Sequence, residues 1–345
     1  YSLPPGAQHM FDTLDHFPPI IDSTMLSAYA SCPQKFFVEF VLRKSKSGRS
    51  IHLHAGGCMA AAFEAYRIAY YRDGLKEPDC LAAAFRVFIA RWGDMEVPEH
   101  IASYKDFINC WSAVEQYFHY YPCATDYFQP FIKSDGAPAV EFRFAIPTDI
   151  RHPLTRDPIM FGGRADMLAQ NEPTSCYVVD EKTTNALGAM WYKQWAMRGQ
   201  FYGYTFAARW MGFPCAGALV RGIAIQQTQF SFAEHTVLLT DQQLMRWWET
   251  TQTRISNMVE MFQRAKETVD RGDQHDIFTR SYGDACSSYG GCQFQELCLE
   301  ERPWDYYESY ETRIWNPLAE DPTAASPNRN DNFAPATMAE LMKGM

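Results

Sequence analysis

Polar and apolar positions along this chain change period twice. Over 55–73, 77–93 and 101–121 apolar residues recur at three and four positions, the repeat of helices with one buried face, so the N-terminal half is expected to be helical. Upstream, Ser23 or Thr24 offers a cap to a helix bearing Leu26 and Tyr29, with a break at Cys32-Pro33 before Phe36 and Phe37. At Ala139 the period shortens to two: VEFRFAI alternates as a half-buried strand does, and PIMFGGRADML and CYVVDEK follow as two further strand-like runs. A helical period returns over 190–211, strands are expected over 215–226 and 229–238, and a long amphipathic helix over about 240–270. The order predicts a mixed α/β fold. Its plan is a Pro-rich arm over 1–22, one domain over 23–315 and a Pro, Asn and Asp-rich tail over 316–345 that ends in a short helix-prone MAELMKGM. Within the domain a helical part covers about 23–135, a sheet core about 136–275 and a cysteine-bearing segment 276–300.

Composition narrows the classes. The chain has 345 residues, 47% of them hydrophobic, enough for a substantial core, with no run of about 18 apolar residues and no charged start followed by an apolar stretch. A soluble, cytoplasmic protein without membrane contact is expected. The net charge of −10 argues against a broad nucleic-acid surface and leaves room only for a local one, since phosphate binding rests on Lys and Arg. Arg43, Lys44, Lys46 and Arg49 form one such candidate patch, or equally a solvated loop after a helix. No G-x-x-x-x-G-K-[ST] loop occurs, so a helicase motor, if the protein works with one, belongs to a partner. The sequence leaves the oligomeric state open.

The chemistry concentrates in two strands. GGRADML places Asp166 near the end of one and VVDEKTT places Asp180, Glu181 and Lys182 on the next. In a strand Asp180 and Lys182 share a face, while Glu181 points away and offers its backbone carbonyl inward. Asp166, Asp180 and that carbonyl are an oxygen donor set suited to Mg²⁺ or Mn²⁺, which would activate water at a phosphodiester, with Lys182 stabilising the developing charge. Downstream, Gln200 and Tyr204 are four apart and share one helix face, placed to contact DNA or brace the metal site.

Taken in order, G-R-A-D, D-E-K-T-T and Q-F-Y-G-Y resemble motifs of the RecB-family nucleases, members of the PD-(D/E)XK superfamily; the likeness spans about Cys32 to Cys298. The resemblance implies a restriction-endonuclease-like mixed sheet flanked by helices, metal binding by Asp166 and Asp180, catalysis by Lys182, and Gln200 and Tyr204 near the substrate. One departure stands out. The family pattern G-x-x-x-H-x-x-x-E has a histidine where GGCMAAAFE places Ala60. Glu64, one helical turn on, is a candidate substitute ligand, as are His52 and His54, and Glu141 is a further acidic candidate.

Cys286, Cys292 and Cys298 recur at equal spacing around a glycine pair, in a loop that can wrap an ion or cluster. RecB-like nucleases with an iron-sulfur cluster, AddB and the CRISPR-associated exonucleases among them, are similar in having one N-terminal and three C-terminal cysteines, which implies Cys32 as the fourth ligand. A [4Fe-4S] cluster or Zn²⁺ suits four thiolates, and the C-x-x-C pair usual in those relatives is missing here. Such a site would staple the chain ends and close the helical cap over the sheet. Cys58, Cys80, Cys110, Cys123, Cys176 and Cys215 read as buried small hydrophobes. The expected function is metal-dependent DNA hydrolysis, exonucleolytic on single strands or ends, in recombination, repair or phage DNA metabolism. The alternative is a catalytically silent DNA-binding or assembly subunit, suggested by Ala60.

Overall fold

The computed structural model describes residues 14–48, 50–172, 175–227, 229–268, 271–287 and 291–319. Arg49 and the MAELMKGM segment lie outside these residues. The described residues divide into two compact units, each drawn from separated stretches: one from 14–48, Ala145–Gly163 and 248–319, the other from 50–144 and Arg164–Trp247.

In the first unit β1 (Ile20–Ile21) pairs in parallel with the first half of β5 (Pro158–Glu172). Residues 14–22 of the expected arm are thus built in from Leu14 onward, because Leu14, Phe17, Ile20 and Ile21 are apolar and buried, with Phe17 edge-on to Phe262. Asp22 caps α1 (Ser23–Ser31) by accepting from the Met25 N–H at 2.8 Å, and Pro33 opens α2 (Pro33–Phe36), which runs into a π-helical turn over Phe37–Val41. A short β2 (Lys44–Ser45) pairs with β9 (Glu311–Thr312). Long α9 (Asp241–Glu267), most of which belongs to this unit, α10 (Arg271–Asp276) and α11 (Gln295–Leu299) complete it.

The second unit holds the helical run α3 (Ile51–Tyr71), α4 (Glu77–Trp92), α5 (Glu99–Lys105) and α6 (Phe107–Tyr120), then β3 (Gln129–Pro130) and the start of β4 (Val140–Arg151). The second half of β5, β6 (Ser175–Thr184), α7 (Ala189–Lys193), α8 (Gly199–Trp210), β7 (Cys215–Ile225) and β8 (Phe230–Leu238) follow. Its sheet is mixed: β5–β6 and β7–β8 are antiparallel, β6–β7 parallel, and both β3 and β4 pair with β5. The strand period of two assigns the faces. Ile223 and Ile225 of β7 pack with buried residues of α3, α4 and α6, among them Phe63, Phe88 and Val114, whereas Ala218 and Val220 pack with Trp191, Trp195 and Phe201 of the α7–α8 side. β7 is apolar on both faces because it lies between β6 and β8 with helices on either side.

The single helical period expected over 190–211 is two helices. Trp191 and Trp195 keep helical spacing and are buried, yet the chain leaves the helix after Lys193 and restarts at Gly199. A periodic apolar pattern reports which side chains are buried, not that the backbone between them stays hydrogen-bonded. No helix of the described residues is long and apolar enough to cross a membrane.

Candidate active site

Pairing of Met167 with Val179 sets Asp166 and Asp180 side by side on adjacent antiparallel strands. The Glu181 N–H donates to Asp166 Oδ2 at 2.7 Å, so the two strands are tied together at the acidic pair itself. On the same face of β6 the Lys182 ammonium stands 2.5 Å from Asp180 Oδ2. From the start of α8, Gln200 Nε2 donates to Asp180 Oδ1 at 3.2 Å and to the Tyr204 hydroxyl at 3.0 Å, while the Tyr204 ring meets Phe144 edge-on. The structure therefore brings Asp166, Asp180, Lys182, Gln200 and Tyr204 into one constellation.

Electrostatics there disfavour the ionised form of several carboxyls. Burial, with Asp180, Glu181 and Glu141 nearby, pushes the Asp166 carboxyl well above its usual range. Burial also raises Asp180, against the opposing pull of Lys182. Glu141 is pushed up to about 7, first by burial and then by Glu64 and Glu181, with the Arg164 guanidinium 2.6 Å away acting against it. Lys182 is the converse: burial would lower it, but Asp180 and Asp166 hold it above its ordinary value, so it stays protonated. The backbone at Glu141 is left-handed, with φ of 48°, a strained setting for a residue with a side chain.

These observations fit a divalent cation. The buried carboxylates of Asp166 and Asp180 stand side by side and repel one another, and hard oxygen donors are what Mg²⁺ and Mn²⁺ select. As placed, however, no group of three or more His, Cys, Asp or Glu among the described residues forms a ready metal site. Glu64, on α3, is half-buried and near enough to raise Glu141. Of the histidine candidates, His54 turns to the Trp92 carbonyl at 3.0 Å and His52 is exposed.

The Glu181 side chain does leave the acidic face, as the strand period requires, but it does not reach solvent. It is buried and ion-paired with Arg67 of α3, and Tyr117 of α6 donates to the same oxygen at 2.8 Å. Arg221 of β7, 1% exposed, joins through the Tyr117 hydroxyl at 3.2 Å and is held by Asp126 at 2.7 Å and Glu234 at 2.9 Å. Sequence reasoning missed this network. Its signals were Arg67 among the apolar residues of the second half of α3 and Arg221 in the otherwise apolar strand β7.

The chain belongs to the PD-(D/E)XK nuclease superfamily. The superfamily model matches residues 23–299, which include every residue of this constellation. No curated protein matches. Among solved structures, the chain is similar to a protein of Eubacterium rectale named "Putative exonuclease", with 10% identity over 78% of this chain and 89% of that one and a TM-score of 0.43. SSO0001 is similar with 13% identity over 71% of this chain and 82% of that one and a TM-score of 0.28.

In the first unit, Cys32, Cys286, Cys292 and Cys298 line one cavity of about 40 Å³ together with Lys35, Arg280 and Phe294. Burial raises the Cys292 and Cys298 thiols, and Arg280 pulls Cys298 the other way. The other six cysteines are buried and none of the ten is in a disulfide. The candidate basic patch is engaged with its own unit. Arg43 stands 3.9 Å from Asp15, Lys44 lies over the Tyr307 ring, and Lys46 stands 3.4 Å from Glu296.

Proposed function

We propose that this nuclease hydrolyses phosphodiester bonds in DNA with Mg²⁺ or Mn²⁺, exonucleolytically on single strands or ends, in the manner of the RecB and AddB-like branch. The observation that carries the reading is Asp166 beside Asp180 with Lys182 on one carboxylate oxygen of Asp180 and Gln200 on the other. Asp166, Asp180 and the Glu181 carbonyl would hold the ion, with Glu64 or Glu141 taking the place of the absent histidine at Ala60. Bound there, the ion would supply an activated water and neutralise charge on the scissile phosphate. Lys182, kept protonated by its two carboxylate neighbours, stabilises the charge that develops on the phosphate oxygens. Gln200 fixes the rotamer of Asp180, and Tyr204 in turn fixes Gln200.

The four thiols around one cavity support a cysteine-held structural metal, a [4Fe-4S] cluster or Zn²⁺, as a staple of the first unit. An anaerobic preparation that is brown with a broad absorbance near 400 nm means the cluster, and a colourless one with stoichiometric zinc means the ion.

The test of the main reading is cleavage of end-labelled single- and double-stranded DNA in Mn²⁺ or Mg²⁺ by the wild type and by Asp180→Ala and Lys182→Ala variants. Cleavage confined to the wild type supports it. Equal cleavage by the variants refutes the assignment. Ala60 favours a second reading, a silent DNA-binding subunit, and DNA binding without cleavage in any metal selects that one.

A further inference from the structure

Glu181 occupies the position between the acid and the lysine of the D-E-K run, on the strand face opposite the metal ligands. A carboxylate buried there is expensive: its Oε1 takes both Arg67 and Tyr117, and its Oε2 has no hydrogen-bond partner. A leucine or phenylalanine would fill the site without that cost, so the pair is not explained by stability. What it does geometrically is specific. Residue 181 is the peptide whose N–H holds Asp166 and whose carbonyl belongs to the donor set, and the side chain of the same residue is fastened to α3. Arg67 lies three positions after Glu64, so both side chains share a face of α3. Fixing Arg67 on Glu181 therefore fixes the rotation of α3 about its own axis, and with it where Glu64 is presented. Tyr117 and Arg221 hold the anchor from α6 and β7.

We propose that Arg67 is a positioning residue: its ion pair with Glu181 locks the helix that carries Glu64 to the strand that carries Asp180 and Lys182, and so sets the geometry of the divalent-cation site from behind. This rests on the nuclease reading of that site. The pair does through the Glu181 side chain what a ligand histidine on α3 would do through the ion, which is to tie helix and strand in one register.

The experiment compares the wild type with Arg67→Met, Arg67→Lys and the double variant Arg67→Met with Glu181→Met in the full chain. It measures Mn²⁺ affinity from the electron paramagnetic resonance of free Mn²⁺, single-turnover DNA cleavage, and DNA binding in EDTA. Expected is a fall in Mn²⁺ affinity of about 10 to 100-fold in the double variant, the range found when groups that orient metal ligands are removed. The cleavage rate falls with it, DNA binding in EDTA stays at the wild-type level, and Arg67→Lys recovers most of the loss. The double variant leaves no buried charge unpaired, so it decides the matter if Arg67→Met alone does not fold. A folded double variant with wild-type Mn²⁺ affinity overturns the proposal and leaves the nuclease reading standing. A double variant that does not fold overturns it too, since the pair would then be a stability element. A wild type that neither binds Mn²⁺ nor cleaves DNA removes the nuclease reading and this one with it.

Discussion

Glu141 gives a measurable sign to the electrostatics of the metal-free site. Its carboxyl is raised from 4.5 to about 7 in the folded chain, by burial first and then by neighbouring carboxylates. Below about pH 4.5 both folded and unfolded chains hold the proton and the group costs nothing. As pH rises the unfolded chain releases it first, so folding loses stability steadily until about pH 7, beyond which the loss is constant. At about 1.4 kcal/mol for each tenfold change in proton affinity, the difference between 4.5 and about 7 amounts to about 3 kcal/mol at pH 8. Glu141→Gln replaces the carboxylate by a neutral group of the same shape that can still accept from Arg164. Urea unfolding in EDTA, followed by the fluorescence of the nine tryptophans, should find the variant equal to the wild type near pH 4.5 and about 3 kcal/mol more stable at pH 8. Saturating Mn²⁺ should erase or reverse the gap, because the ion relieves the repulsion only where the carboxylate is present. A gap that is flat with pH, or a variant less stable than the wild type at pH 8, would refute the reasoning.

Other consequences are simpler to state. Gly222 pairs with Lys182, and a Cβ there would fall 2.4 Å from the Leu187 and Trp191 side chains; Gly222→Ala should cost about 1–3 kcal/mol in urea unfolding, and no loss would mean that Trp191 shifts freely. Gln200→Ala removes the amide that orients Asp180, so cleavage should slow by about 10 to 100-fold with the melting temperature unchanged; equal rates would deny it that role. Cys292→Ser, or long chelation, should lower the melting temperature of the purified protein and release metal in step, and an unchanged melting curve with full metal loss would rule out a structural staple.

The face assignment on β6 needed nothing beyond the sequence. Strand side chains alternate, so Asp180 and Lys182 had to share a side and Glu181 had to take the other, whatever the rest of the fold did. The helical run and the strands flanking GRAD and DEK were legible for the same reason: each is long enough for its hydrophobic period to dominate local choices. The placement of Gln200 and Tyr204 on one helix face followed from their spacing, and the structure adds that Gln200 reaches Asp180 and Tyr204 meets Gln200.

What the sequence could not say is who meets whom across large separations. Glu181 and Arg67 are 114 residues apart, and Arg221 and Asp126 are 95 apart; the pairings depend on which helix and which loop pack on that sheet face. A buried arginine on a helix and a buried glutamate on a strand are costly when each is considered alone. Only tertiary packing, by burying them against each other, makes both tolerable. The same holds for Leu14, Phe17, Ile20 and Ile21, whose short, Pro-broken stretch has no period to read and becomes structure only because Ile20 and Ile21 find the edge of β5. Local periodicity thus determined the elements and the face each active-site residue takes. Packing alone decided the neighbours that set their charge and position, because those interactions are made between segments that no local rule connects.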